Sequence, residues 1–246
     1  MRFLLHPLFL LTILAGQAQQ TKVVDVNKDN VQIVGSLYYM VGDAPVSAAK
    51  YVKVVAGTPY FSESWMKAKL ELEKGSVYQQ VLVRLDLLAN DLQYIGPGGK
   101  ELVATTPVKS VTLLDSVSGK EYKFVHSSFL RLSKDMEAGW YLQLTTGTAV
   151  LYKKIRKMIT EDKPYGSATV EQSISTAGQY FVEINAAFNR VKKFKELPDL
   201  LKDKKDELNK YISERNLSGK NDEDYIDLVT HYNDLLVKSN SMAVIQ

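Results

Sequence analysis

The chain of 246 residues contains no cysteine and only three histidines. The absence of cysteine excludes disulfide bonds, thiol nucleophiles, cysteine-ligated zinc and iron–sulfur clusters. One histidine, His6, lies in the apolar N-terminal segment, so the body of the chain has only His126 and His231. Two imidazoles cannot complete a metal site without Asp or Glu as further ligands. The sequence therefore predicts no metal and no cofactor, and stability must come from a hydrophobic core.

Neither sign of charge is in large excess, because 31 basic and 28 acidic side chains leave a formal net charge of +3. The basic runs are interleaved with Asp and Glu, whereas nucleic-acid binding needs a strongly basic face that displaces counterions from phosphates. We therefore predict no nucleic-acid partner. The length suits one large domain or two small domains with a proper core.

The N-terminal apolar stretch is too short for a membrane-spanning helix, which needs about 20 residues. It covers residues 8–14 and lies between Arg2 and the small residues Gly16 and Ala18. These are the three parts of a secretory signal peptide, so we predict a signal peptide at 1–18 with cleavage after Ala18. No cysteine follows, which excludes a lipoprotein. The expected location is the periplasm or the extracellular space, with no transmembrane segment after cleavage; an uncleaved anchor is the alternative.

Residues 19–196 have the pattern of a β-rich domain. Short runs of β-branched and aromatic residues alternate with turn signals rich in Gly, Pro, Asp and Ser, and no helical periodicity separates them, which favours antiparallel meanders. The predicted fold class is α+β, mainly β, with an antiparallel curved sheet, a sandwich or partial barrel, and a C-terminal helical hairpin. The predicted strand runs are residues 31–40, 51–55, 65–72, 77–85, 92–95, 111–114 and 122–126.

Alternation is clearest at residues 66–73, where Lys and Glu occupy every second position and Met, Ala and Leu occupy the others. One face of this strand should be wet and the other buried. Farther along, Arg84 and Asp86 share one side of the next predicted strand. They can pair with each other or with a neighbouring strand.

Two similar hairpins are predicted at 139–156 and 178–195. Gly139, Tyr141 and the pair Lys153-Lys154 recur 39 residues later. Both an internal duplication and ordinary hairpin composition, with lysines at an exposed edge, account for this echo. The intervening residues 160–175 are predicted to form a loop.

From residue 197 the period changes to that of a helix. A helical hairpin is predicted at 197–238, followed by a flexible tail at 239–246. Its first apolar stripe contains Leu201 and Leu208, and its second contains Tyr225 and Leu228. The hairpin can cap the sheet or dock another chain, and its narrow stripes favour capping.

Four segments carry a resemblance to known sequences: GTPYFSESW at 57–65, LDLL at 85–88, VATTP at 103–107 and the helix at 222–233. They resemble a family of uncharacterised exported proteins of Bacteroidota, with a β-rich body and C-terminal helices. The resemblance covers most of the chain beyond the signal peptide and supports export. It implies no activity and no functional residue.

Catalytic signatures are weak. No Gly-x-Ser-x-Gly elbow is present, and neither remaining histidine has a recognisable catalytic setting. Paired carboxylates are the enzyme chemistry that the composition leaves open, with Asp86, Asp91 and Asp115 as candidates, although their spacing is equally typical of surface acids at turns. The Gly-Pro-Gly-Gly segment at 96–99 lacks the Lys-Ser/Thr of a phosphate-binding loop and is predicted to be a hairpin turn.

Aromatic residues give the best functional indication. Rings crowd the first third of the chain, at Tyr38, Tyr39, Tyr51, Tyr60, Phe61 and Trp65. Such rings pack into cores or bind sugars, lipids or apolar side chains of a partner. We predict a ligand-binding site at Tyr60, Phe61 and Trp65, and no catalytic residue.

The expected function is that of an exported cell-envelope protein that acts by binding or assembly without catalysis, with an envelope protein or an apolar or sugar ligand as partner. One alternative is a periplasmic carrier of lipid or another apolar ligand, which requires a continuous pocket lined by Tyr60, Trp65 and inward-facing residues. The other alternative is a hydrolase that uses two carboxylates about 5 to 10 Å apart in a cleft.

Overall fold

The computed structural model describes residues 23–28, 41–42, 44–46, 51, 53–163, 165 and 169–243, with side chains described up to residue 239. The predicted signal peptide, the predicted strand at 31–40 with Tyr38 and Tyr39, and the end of the predicted tail lie outside these residues.

The strands of the described residues belong to one large sheet that does not close. Its main path is antiparallel and runs β13-β12-β11-β10-β9-β8-β4-β5-β6-β7-β2, while β1 pairs parallel with β5 and β3 pairs parallel with β12. The strands are β1 Val23–Asp25, β2 Ala44–Pro45, β3 Val54–Ala56, β4 Met66–Leu72, β5 Val77–Asp86, β6 Asp91–Ile95, β7 Glu101–Val103, β8 Val108–Leu114, β9 Glu121–His126, β10 Trp140–Gln143, β11 Val150–Asp162, β12 Glu171–Ile184 and β13 Ala187–Val191.

Three helices follow the sheet: α1 Leu197–Leu200, α2 Lys205–Arg215 and α3 Asp222–Ala243. The mainly β fold class with C-terminal helices is therefore confirmed, and the sheet is mixed because of its two parallel pairings. The first predicted helix is broken at Leu201, and α3 extends beyond residue 238, where the sequence placed its end. Within the described residues, no helix combines the length and apolarity that a membrane span requires.

Strands β4 to β10 curl around a first core. The alternation of β4 is as predicted, since Lys67 and Lys69 are exposed while Ala68 and Leu70 are buried. The pairing of β4 with β5 contains a bulge, at which Gln80 has a φ of 61°. A second irregularity lies where β4 pairs with β8. Bulges sharpen the local twist of a sheet, which fits the curl around this core.

The helices cover one face of the sheet at β11 to β13. Leu151 and Val182 of the sheet meet Leu201, Leu208 and the α3 residues Leu228 and Val229 in a second core cluster. Asn233 fastens α3 to the turn before β11, because its side chain accepts from the Ala149 N–H and donates to the carbonyl of the same residue. The helical hairpin thus caps a sheet face, which is the role favoured by its narrow stripes.

Two local expectations are corrected. Most of the predicted loop at 160–175 is strand, because β11 and β12 stay paired from Thr160 and Ser173 out to Asp162 and Glu171. The pair Lys153-Lys154 is not at an edge, since β11 lies between β10 and β12. The turn-forming residues within 160–175 end the predicted strands too early, because the pairing of β11 with β12 continues into this segment.

Strand β3 brings the early part of the chain against the far hairpin. Val54 and Ala56 pair with Gln172 and Ser173 of β12, and Lys53 forms an ion pair of 2.6 Å with Glu171. The chain then passes so close to β12 at Gly57 that a Cβ atom there would lie 1.9 Å from the Ile174 carbonyl oxygen. Only glycine fits this crossing.

The turn between β12 and β13 gives a first prediction. Asn185 and Ala186 both have positive φ, of 50° and 60°, which is the geometry of a type I′ turn. Alanine is strained there, so Ala186→Gly should raise the free energy of unfolding by about 0.5–1 kcal/mol in urea titrations. The adjacent Ala187→Gly, within β13, is the control and should lower it. Equal effects of the two substitutions would contradict the turn assignment.

Candidate functional site

The predicted site residues Tyr60 and Trp65 lie together around a cation. The guanidinium carbon of Arg84 lies 4.2 Å from the centroid of the Tyr60 ring and 4.5 Å from that of Trp65. Such contacts between Arg and aromatic faces are attractive because the ring face carries partial negative charge. The two rings and the guanidinium form a unit that we call the arginine clasp: Tyr60, Trp65 and Arg84.

Arg84 is held in the clasp by side chains of the next two strands. Its Nε and Nη2 donate to Oε1 of Gln93 at 3.0 and 2.8 Å, and Nη2 reaches Glu101 at 3.4 Å. The sequence left two pairings open for Arg84, with Asp86 or with a neighbouring strand. The structure shows the second, because Gln93 and Glu101 lie on β6 and β7. Because Val83 and Leu85 point into the first core, the clasp lies on the opposite face of β5.

Phe61 is separated from the clasp. Its ring makes edge contacts with Tyr122 and Phe124, at centroid distances of 5.0 and 4.9 Å, and packs against the first core. Of the three predicted ligand-binding residues, the structure therefore brings together Tyr60 and Trp65 and directs Phe61 into the packing of the sheet.

A cleft of about 670 Å³ opens beside the clasp. Tyr60 and Arg84 form part of its wall together with Tyr51, and Glu63 and Glu101 place two carboxylates in it. The remaining lining comes from Pro45, Val46, Val54, Gly57, Thr58 and Pro59. The cleft offers ring surface, a guanidinium and acceptor oxygens within one space, which is the mixture that small polar ligands require.

The carboxylate of Asp86 holds one residue of the cleft wall, Tyr51, by a hydrogen bond. Asp86 is fully buried, and it accepts from the hydroxyl of Tyr51 at 2.6 Å and from the backbone N–H groups of Leu88 and Ala89 at 3.0 and 2.8 Å. Burial and the bond to Asp86 both raise the pKa of Tyr51, so its hydroxyl stays a donor. The ring of Tyr51 in turn contacts Tyr60 edge-on, at 6.4 Å between centroids.

The three candidate acids do not form an open pair. Asp86 and Asp91 are opposite each other on β5 and β6, but Asp86 is buried beneath the turn that it stabilises. Asp115 lies beyond β8, two strands from β5, and its carboxylate accepts from the N–H of Val117. Hydrogen bonds, first that from the Ser118 hydroxyl, lower the pKa of Asp115. Two-carboxylate hydrolysis thus has no support in the geometry of these residues.

The two histidines have structural surroundings. The Nδ1 of His126 lies 2.6 Å from the Ser128 hydroxyl oxygen, and its ring contacts Trp140 edge-on. Burial, together with the nearby charge of Lys154, lowers the pKa of His126. His231 stacks on Tyr211 with 3.7 Å between centroids, between α2 and α3.

The segment at 96–99 forms the turn between β6 and β7, as predicted. Within the described residues, no cluster of three or more His, Asp or Glu side chains could hold a metal ion.

Lys154 is a buried cation that sequence reasoning missed. Only 5% of it is exposed, its Nζ donates to the Ala138 carbonyl at 2.8 Å, and it lies over the ring of Tyr141. Burial lowers its pKa to about 8, although Glu137 opposes the shift.

Sequence reasoning also missed Arg84, Glu63 and Glu101 as cleft residues. The signal for Arg84 was its alternation with two core residues of β5.

Comparisons of the chain with protein-family models, with curated proteins and with solved structures give no significant match.

The bond between Tyr51 and Asp86 gives a second prediction. Tyr51→Phe removes one donor from a buried carboxylate and should lower the free energy of unfolding by roughly 1.5–3 kcal/mol. The control is Tyr60→Phe, because the Tyr60 hydroxyl makes no side-chain hydrogen bond within the described residues; its effect should stay within about 0.5 kcal/mol. Urea denaturation measures both. A smaller loss for Tyr51→Phe than for its control would refute the supporting role of Asp86.

Lys154 gives a third prediction, on pH. Between about pH 8 and 10.5 the unfolded chain keeps the Lys154 proton while the folded chain has lost it, so the free energy of unfolding rises with pH. The rise should be on the order of 3 kcal/mol over this window. In Lys154→Met it should be absent. Other groups titrate in both proteins, so the difference between the two urea-denaturation profiles isolates Lys154, and parallel profiles would exclude the shift.

Proposed function

We propose that this chain is an exported cell-envelope protein that acts by binding, without catalysis, and that its ligand occupies the cleft beside the arginine clasp. The proposal of export is based on the signal-peptide pattern at 1–18 and on the resemblance to exported proteins of Bacteroidota. The observation that carries the binding proposal is the cleft of about 670 Å³ in which Tyr60, Arg84 and Glu101 meet.

The lining favours a small polar ligand with hydroxyl groups, such as a sugar. Hydroxyl groups both donate and accept, so they suit the carboxylates of Glu63 and Glu101 as acceptors and the guanidinium of Arg84 as a donor. The ring of Tyr60 supplies an apolar wall for the C–H surface of such a ligand. Glu63 is exposed, and it is therefore accessible to a ligand without a rearrangement of the core.

An apolar ligand fits this cleft less well than a polar one. The carrier alternative needs a pocket formed by Tyr60, Trp65 and inward-facing residues, but both rings contact the charged group of Arg84. The inward-facing residues of β5, including Val83 and Leu85, are buried in the first core cluster. A ligand in the cleft would meet charged side chains, which an apolar molecule cannot satisfy.

Native mass spectrometry of the protein purified from its own envelope tests the proposal. We expect a chain that begins at Gln19, as cleavage after Ala18 requires, and a reproducible adduct with the mass of a small polar molecule. Glu63→Lys should reduce the occupancy of that adduct about tenfold or more, since it removes an acceptor and adds a charge in the cleft.

The matched control for this experiment is Glu73→Lys, an equal change of charge at an exposed position at the end of β4 that does not line the cleft. It should leave the adduct unchanged. An intact N-terminus in the cytosolic fraction would overturn the export proposal. A bare chain, or an adduct that both variants keep equally, would overturn the binding proposal.

A further inference from the structure

A second large cleft lies on the same outer face of the sheet as the clasp, farther along β4 and β5. It has a volume of about 650 Å³, and it crosses strands β4, β5, β8, β9 and β10. We call it the outer groove. It shares no lining residue with the cleft beside the clasp, so its function can be tested independently of the function proposed above.

A row of polar side chains crosses the outer groove at right angles to the strands. Gln143 is opposite Lys123, Lys123 is opposite Thr112, and Thr112 is opposite Lys69. On the other side of Lys69 the row ends at the bulge of β5, which contains Gln80. Residues directly opposite on neighbouring strands share a face, and four strand spacings of about 4.8 Å make the row roughly 19 Å long.

The bulge distinguishes this surface from an ordinary solvated sheet face. Gln80 has a φ of 61°, a conformation that costs a non-glycine residue free energy. The strand consequently places both Gln79 and Gln80 among the groove-lining residues. Strained bulges are frequent beside binding sites. A bulge can direct into the cleft a side chain that would point to the other face of the sheet in a regular strand.

The charge of the groove is positive at its centre. Lys67 and Lys69 alternate along β4, and Lys123 lies two strands away. Across the described part of the chain, none of these three ammonium groups forms an ion pair with a carboxylate.

The two acids of the lining do not cancel this charge. The carboxylate of Glu71 is already paired, because it accepts from Lys109 at 2.6 Å and from the Ser110 hydroxyl at 3.1 Å. Burial alone would raise the pKa of Glu71, but these bonds and the charge of Lys123 hold it below its usual value. Glu121 is the other carboxylate of the lining, which contains three lysines.

We propose that the outer groove binds an acidic polysaccharide. Ammonium groups of Lys67, Lys69 and Lys123 would pair with its carboxylate or sulfate groups, and the amides of Gln80 and Gln143 would bond to its hydroxyls. Nucleic acid fits less well, since the lining contains no aromatic side chain on which a base could stack and no arginine that could clasp a phosphate. An apolar chain fits least, because among the described lining residues only Leu114 presents an apolar side chain to the groove, whereas that of Ala68 is buried in the first core.

Calorimetric titration of the full-length protein with oligogalacturonate, and with neutral dextran of the same length, tests this proposal. We expect binding of the oligogalacturonate alone, weakened several-fold when the salt concentration rises from 50 to 300 mM, as for contacts between exposed charges. Lys123→Gln should weaken it about three- to tenfold, and the triple change of Lys67, Lys69 and Lys123 to Gln should weaken it about thirtyfold or more. The single variant keeps the test valid if the triple variant folds poorly.

The control removes the same charge elsewhere, by changing the exposed Lys192, Lys193 and Lys195 to Gln. None of these residues lines the outer groove, so this variant should keep the affinity for oligogalacturonate. The proposal is overturned if dextran binds equally well, if both triple variants lose the same affinity, if Lys123→Gln has no effect, or if single-stranded DNA of equal charge binds as tightly through the same lysines.

Discussion

The burial of one carboxylate, that of Asp86, determines the local structure on which the clasp depends. A fully buried charge must be hydrogen-bonded, and the donors here are the Tyr51 hydroxyl and two backbone N–H groups of the following turn. These bonds fix the turn from β5 to β6 and hold Tyr51 against it. The segment of Tyr60 is held at the same point, since Tyr60 bridges to Asp86 through the backbone. Arg84, two residues before Asp86, is thereby aligned with the rings that enclose it.

A second, half-buried set of polar groups joins the helices to the sheet. Asp222, at the start of α3, accepts from Lys153 at 2.7 and 2.8 Å and from the Tyr180 hydroxyl, while Tyr180 stacks on Tyr225 with 3.7 Å between centroids. Burial alone would raise the pKa of Asp222, but the bonds from Lys153 and Tyr180 hold it below its usual value. The helical layer is therefore oriented by these bonds and held by apolar burial, and it leaves both the clasp and the outer groove uncovered.

The fold class, most strand positions and the buried stripe of α3 could be predicted from periodicity, because burial of one face imposes period two on strands and 3.6 on helices. Pairings between distant strands could not be predicted, since alternation identifies a face and not a neighbour. For this reason the sequence placed Lys154 at an edge. Of the candidate site, composition identified Tyr60 and Trp65, whereas the packing of Phe61 into the core and the cation between the rings depend on tertiary contacts. The positive row of the outer groove depends on register, which one strand alone does not reveal.

The pairing of β3 with β12 sets the order in which this fold can be completed. Lys53 and Glu171, at the two ends of this contact, are 118 residues apart in the chain. Contacts of such separation carry a large loop-closure cost and form slowly, after local hairpins such as β4–β5 and β8–β9. The chain emerges with its N-terminus first, from the ribosome and during export alike, so within the described residues β3 lacks its strand partner until β12 has emerged. The segment that leads to Tyr60 is therefore positioned only after the hairpin of β11 and β12 has emerged. A chain truncated before residue 171 would keep the backbone bridge between Tyr60 and Asp86 but lose the pairing of β3 with β12.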